Sequence, residues 1–311
     1  MTTLLTPPNA PAEPRSLRHT DARTRRRRLR DRAVTAALAA AMALACVPLA
    51  LILYVVAQRG IAAINLEFFT SDQRPFQSTE GGFRHGFVGT FYIMALAIPM
   101  SVTLGVAAAV YLVEYGKGTK LATMVRFVTD VMTGIPSIFV GLVVYAALIR
   151  TQGTATVGMG FGTFVGAVAI ALIMLPIVVR SAEEMLKLVP DSIRNASYGI
   201  GARKWQTTTR VVLPAAAPGL ATGSMLAVAR GAGETAPLIL TALGSLFLVL
   251  TFQGEPQTSL PQLIYQHANQ PFPPGVAKAW GGALCLVLIT LTFTVIARTV
   301  SARFAARREG L

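Results

Sequence analysis

Apolar runs long enough to cross a bilayer dominate the chain, and the polar residues between them come in short stretches. Residues 33–57 are apolar apart from Thr35 and a single Pro48. About 20 such residues suffice to span the hydrocarbon core, so this is a first span. It is too long, and starts too far from Met1, to be the apolar region of a cleaved signal peptide. Four further spans follow the same rule at 88–113, 125–149, 161–179 and 280–297. A sixth, from Leu220 to about Leu243, is interrupted by Arg230, Gly231, Gly233, Glu234 and Pro237. Such breaks are tolerated inside a membrane where neighbours or water satisfy the freed backbone groups. The pattern therefore predicts an all-α polytopic membrane protein with six transmembrane helices and no sheet.

Around these spans, residues 1–32 read as a disordered tail. The first twenty are rich in Pro, Thr and Ala without apolar periodicity, and 23–32 is an almost unbroken basic run. Residues 58–87 form an extracytoplasmic loop, 88–298 a five-helix core containing a long cytoplasmic connection at 180–218, and 299–311 a basic C-terminus. Orientation follows from Lys and Arg, which favour the cytoplasmic side. With both termini inside, 22 of the 28 Lys and Arg residues fall on inner segments and Arg230 lies in the membrane. Composition agrees: the 311 residues are 53% hydrophobic and only 14% charged, with mean hydropathy +0.56. A net charge of +14 raises nucleic acid as a partner. The basic residues sit between spans, however, where topology alone accounts for them, so no nucleic acid is expected. His19, His85 and His267 are far apart and no Cys/His spacing suggests a metal site; Cys46 and Cys285 lie in apolar runs and behave as small hydrophobes.

The connection at 180–218 is too long for a simple turn between two membrane helices. Ala182, Met185, Leu186 and Val189 recur at helical spacing, and Asp191 is placed to cap a second short helix ending near Gly199 to Gly201. Gly201 either adopts positive φ at that helix end or lets another chain approach the backbone. Asn195-Ala196-Ser197-Tyr198-Gly199-Ile200-Gly201, nine further residues, then Val211-Val212-Leu213-Pro214, resembles the EAA loop of permease subunits in bacterial ABC importers of the MetI-like superfamily. The resemblance implies that Asn195, Ala196, Ser197, Gly201, Leu213 and Pro214 belong to a coupling helix that docks on a separate ATP-hydrolysing subunit. Asn195 stands where the family usually has Glu, so any ion pair made there is lost. The chain has no P-loop: Tyr115-Gly116-Lys117-Gly118 lacks the first glycine and the Ser or Thr after the lysine. It is not expected to be an enzyme or to bind a cofactor, ATP and Mg being held by the partner.

Four further stretches are together similar to the permeases of phosphate-specific ABC importers, the PstA family. They are Tyr111 to Tyr115, Gly134-Ile135-Pro136-Ser137, Leu175 to Arg180, and Ala229 to Pro237. This implies a second permease of the PstC type, two PstB-type ATPase copies, a PstS-type extracytoplasmic phosphate-binding protein, and lipid around the spans. The residues themselves support a path for an anion. Arg230 and Glu234 are costly at mid-membrane, by about 2.5 to 3.5 kcal/mol each on insertion scales, and are expected to face the bundle interior or a wet path. Their i, i+4 spacing lets them pair. Arginine presents a fork of donors suited to phosphate oxygens, while Glu234 tethers it between cycles. The substrate pathway is therefore expected to contain Arg230, Glu234 and Thr235, with Gly231, Gly233 and Pro237 loosening the helix there. The plainer alternatives are an ion pair that only fixes packing and glycines that only let helices approach. Asp130, near one end of its span, is given no role. Rival functions are a permease for molybdate, sulfate or another oxyanion, and a secondary transporter, which would usually show an internal repeat not seen here.

Overall fold

The computed structural model describes residues 22–149 and 158–309. Among them there is no strand, only an isolated bridge between Leu243 and Gln257. The chain divides into two compact units, residues 1–54 and 55–311. The described part of the first is a single helix, α1 (Ala22–Ile61), which ends in the second unit. Residues 22–32, expected to be disordered, are helical and continuous with the span, because arginine has a helix propensity close to that of leucine. The rest of the expected tail, 1–21, lies outside the described residues. Leu38, Met42, Leu44 and Ile52 on this helix are exposed, as side chains facing lipid must be.

The second unit continues with α2 (Leu66–Thr70), α3 (Arg84–Tyr115), α4 (Lys120–Gly134), α5 (Ser137–Ile149) and α6 (Thr163–Lys187). After these come α7 (Asp191–Gly199), α8 (Lys204–Ala232), α9 (Ala236–Thr241), α10 (Leu260–Ala268) and α11 (Pro273–Glu309). Five helices are long and apolar enough to cross a membrane, and α4 with α5 make a sixth if taken together.

That pair corrects the straight third span expected at 125–149: its axis turns by 110° between α4 and α5. Ile135 is extended, at φ −76° and ψ 130°, the conformation favoured before proline, and Pro136 has no N–H with which to continue the helix. The connection expected at 180–218 is also shorter than its sequence suggested. Helix α6 runs on to Lys187 and α8 already begins at Lys204, so only 188–203 leaves the long helices. Pro214 is accommodated inside α8 because the turn before it, Thr208–Val212, is π-helical and absorbs the missing donor. The C-terminal stretch from 299 is helical to Glu309 as part of α11.

The core is built by α3, α6 and α8 around Ile93, Ala97, Ile170, Met174, Ala227 and Val228. Small residues set the α6–α8 spacing. A Cβ on Gly231 would lie 2.7 Å from Met174 Sδ, and one on Gly223 would lie 2.5 Å from Ser181 Cβ. Short helix α9 is wedged beside α5, where a Cβ on Gly141 would stand 2.6 Å from Pro237 Cα. At the end of the bundle away from α7, Arg84 clamps Asp72 with 2.7 and 3.1 Å bonds. Burial works to raise the Asp72 carboxyl, but the hydrogen bond and charge of Arg84 outweigh it and hold the acid below its usual range. There too His267 is buried, its Nδ1 3.0 Å from Leu263 O and its ring against Phe76 and Phe83.

Candidate functional site

Two groups of residues stand apart from the packing of the core. The first is the turn-helix-turn at 188–203. Asp191 does not cap α7: Pro190 holds the cap position, and Asp191 is the first helical residue, its carboxylate 3.0 Å from Arg194 Nη1. The helix ends in a Schellman motif, in which Gly201 N donates to Tyr198 O at 2.9 Å and Ala202 N to Ser197 O at 3.1 Å. Gly201 takes the left-handed conformation this motif requires, at φ +85°, and no atom of the chain lies within 4 Å of where its Cβ would be. Asn195 and Ala196 are exposed, whereas Ser197 turns inward to share a 2.9 Å hydrogen bond with Thr207. Leu213 and Pro214 lie outside this knob, half-buried in α8. The knob presents Leu188, Ile193, Tyr198 and Ile200 outward, with Ile200 86% exposed, and Trp205 at the start of α8 is exposed beside it. Beside it runs a groove of about 320 Å³ lined by Met185, Pro190, Ala215 and Pro218 among others.

What holds the knob was not foreseen from sequence. Arg194, on the inner face of α7, is 8% exposed and directs all five of its N–H groups to acceptors. Nε and Nη2 bond Glu114 Oε1 at 3.0 and 2.9 Å, Nη2 also bonds Leu186 O at 2.9 Å, and Nη1 reaches Val189 O and Asp191. Glu114, 4% exposed, sits in the π-helical last turn of α3. A second buried carboxylate, Glu183 of α6, takes Arg126 Nε from α4 at 2.8 Å and Lys187 at 2.7 Å. Asp130, given no role above, pairs with Arg180. The available signal was a carboxylate at the end of each of two apolar runs, with arginines a helix away.

The second group is the break between α8 and α9. Gly233 ends α8 and its N–H returns to Arg230 O at 3.1 Å; Thr235 precedes α9 and accepts from Leu238 N at 3.2 Å. Arg230 and Glu234 are paired, Nε to Oε1 at 3.4 Å, but across the break and not along one continuous helix face. The pair is not in the bundle interior. Arg230 is 59% exposed and Glu234 14%, and Arg230 lines an open cleft of about 100 Å³ with Met132, Thr133, Ser137, Ile173 and Pro176. The bend between α4 and α5 and the middle of α6 form its walls. Among the glycines expected to loosen the helix, Gly231 instead serves close packing on Met174, while Gly233 has only Arg230 O near its Cβ direction and serves the helix end. Pro237 is buried against Gly141. Among the described residues no group of three His, Cys, Asp or Glu is placed to hold a metal.

A bundle of membrane-length helices with an exposed apolar knob at one end and a cleft lined by an arginine beside a broken span has the fold of an ABC transporter permease. Solved structures agree: a methionine ABC transporter in an inward-facing conformation aligns at TM-score 0.56, covering 70% of this chain and 94% of that one at 19% identity. A bacterial alginate ABC transporter aligns at 0.61, covering 88% and 95% at 17% identity. Residues 101–309 match the binding-protein-dependent transport system inner membrane components. The phosphate transport system permease protein PstA 1 of Mycobacterium tuberculosis is 38% identical over 290 residues, 92% of each chain. PstA of Yersinia pestis is 37% identical over 252 residues, 81% of this chain and 83% of that protein. The chain belongs to this family of inner membrane transport components and, within it, to the PstA group of permeases.

Proposed function

We propose that the protein is the PstA-type subunit of an ATP-driven phosphate importer and forms half of the translocation path. The observation that carries this reading is Arg230. It lies within a long apolar span, it opens onto a cleft instead of being sealed in the core, and it is paired with a carboxylate 3.4 Å away that can release it. Identity of 38% over 92% of the chain to a phosphate transport permease directs the choice of anion. A guanidinium half open on an apolar helical surface is costly in lipid. The cleft therefore faces a second permease, which closes the path over it. The apolar knob around α7 is the docking surface for an ATPase subunit, one copy on each permease. Both termini and α7 are cytoplasmic, in keeping with the Lys and Arg bias. The opposite end receives a phosphate-loaded binding protein. ATP and Mg are bound by the ATPase, and Thr235 and the free backbone at the break lie beside the anion as it passes.

The test is uptake of labelled phosphate into proteoliposomes containing the two permeases and the ATPase, with binding protein outside and ATP inside. Phosphate uptake that excess sulfate or molybdate leaves unchanged supports the reading. Uptake of either of those ions in place of phosphate, or uptake without ATP, overturns it.

A further inference from the structure

Arg194 and Glu114 are separated by 80 positions in the chain, yet they meet in a buried, fully satisfied contact that joins three elements. Glu114 ends α3. Of the two carbonyls that the same guanidinium takes, Leu186 O lies in the last turn of α6 and Val189 O just past its end. Arg194 itself belongs to α7. The connections on either side of α7, 188–190 and 200–203, are short; the Schellman motif and the Ser197–Thr207 bond tie α7 to α8, and the Glu114–Arg194 pair ties it to α3.

A buried ion pair is seldom needed for stability, since apolar residues of similar volume often serve as well or better. What it fixes is relative placement, because a planar fork with five filled donors tolerates one orientation. From this contact, α6 runs as one helix to Ile173, Pro176 and Ile177, which line the Arg230 cleft. Arg126 adds α4 to the same assembly through Glu183 and through Leu112 O at 3.2 Å, and α4 ends in Met132 and Thr133 of that cleft.

We propose that the Glu114–Arg194 pair is the joint of the transporter: it makes α7 move as one body with the ends of α3 and α6, so that displacement of α7 by the ATPase reaches the cleft. This rests on the importer reading above. Glu114 and Arg194 are positioning residues that touch neither phosphate nor ATP. A pair that merely braced the fold would affect assembly and stability and leave untouched the amount of phosphate moved per ATP.

The experiment compares the parental importer with Glu114→Gln and with the double variant Glu114→Gln, Arg194→Met, reading subunit recovery, ATP hydrolysis and phosphate uptake in proteoliposomes. The double variant leaves no uncompensated buried charge, since the remaining partner of Arg194, Asp191, is exposed to solvent, so it is expected to assemble even if the single variant does not, and to move about tenfold less phosphate per ATP than the parent. If the double variant assembles and its ratio stays within about twofold of the parental one, the pair is only a brace and the proposal fails. A second measurement needs neither variant. With Cys46→Ala as background, spin labels at the exposed positions Lys117 and Ser192, one just past α3 and one on α7, report the distance across the joint in nucleotide-free and ATP-bound complexes. A constant distance supports the joint; a change of more than about 3 Å between the two states means that α7 slides on α3, and it overturns the proposal whatever the variants do. Absence of phosphate uptake by the parental complex would instead count against the importer reading, so the two failures are distinct.

Discussion

Replacing Gly141 by alanine puts a methyl group where the chain has no room. Its Cβ would lie 2.6 Å from Pro237 Cα, 2.9 Å from Pro237 O and 3.2 Å from Pro237 C. All three are backbone atoms, so no side-chain rotation relieves the contact. Ordinary van der Waals separation starts at 3.4 Å, so α5 and α9 must part by 3.4 minus 2.6, or about 0.8 Å. Overpacking of this kind costs about 1–3 kcal/mol. The displaced segment begins two residues after Glu234, so the variant also disturbs the 3.4 Å Arg230–Glu234 pair and lowers uptake. Gly134, just across the α4–α5 bend, supplies the control: nothing lies within 4 Å of its Cβ position and it ends a helix in which alanine is the better residue. Gly134→Ala should match the parent or gain up to about 1 kcal/mol. The assay is the fraction of monodisperse protein remaining after a heating series in detergent, run with phosphate uptake. Gly141→Ala is expected to lose its monodisperse peak several degrees earlier, as a change of about 1–3 kcal/mol implies. Equal midpoints for Gly141→Ala and the parent would refute the close α5–α9 crossing on which the cleft geometry depends.

Three other outcomes follow from the same structure. Gly201→Ala strains the left-handed residue by about 1–2 kcal/mol, whereas Gly201→Asn tolerates it; Gly201→Asp, isosteric with Asn, adds a charge to an open surface and should lose the ATPase on co-purification, and equal recovery for Asp and Asn would count against docking there. Arg230→Lys keeps the charge but loses the fork, so uptake should fall more than subunit recovery, and Arg230→Gln should fall further; parental uptake by a variant with Gln at both 230 and 234 would make the pair structural. Burial pushes His267 down to about 4 from 6.5, so the neutral ring favours the folded form. That stability is whole above pH 6.5 and is lost as pH falls toward 4, at up to about 1.4 kcal/mol per pH unit; His267→Gln should lessen the fall of thermal stability over that window, the buried His85 still contributing, and an unchanged slope would exclude His267 as a source.

Hydropathy carried the span count, because a bilayer demands about 20 apolar residues whatever the neighbours do. It did not carry where the helices bend. Residues 125–149 read as one apolar run, yet the run turns through 110° at Ile135-Pro136, where Ile135 is extended. The end of the knob helix was readable from glycine placement, the positive φ of Gly201 included, whereas the helical spacing at Ala182, Met185 and Leu186 belongs to the continuation of α6. The anchorage of the knob was not readable, since a contact between residues 80 positions apart leaves no local pattern.

The two arginines show why the environment of a charge cannot be read from hydropathy alone. Arg230 lies in a long apolar run, and the cost of a charge there predicts either burial within the bundle or a place on a wet path. Arg194 lies in a polar connection, where a surface position is the natural reading. Arg230 opens onto a cleft, and Arg194 is buried. What decides is the number of acceptors each guanidinium meets: burying an arginine is permitted when its donors are all filled and its charge is matched. Arg194 has carbonyls at the end of α6 and two carboxylates within reach, so it is sealed at 8% exposure. Arg230 has a single carboxylate on one edge of its fork and remains 59% exposed on the other. Incomplete coordination is what the proposed anion path asks of Arg230, and complete coordination is what the proposed joint asks of Arg194.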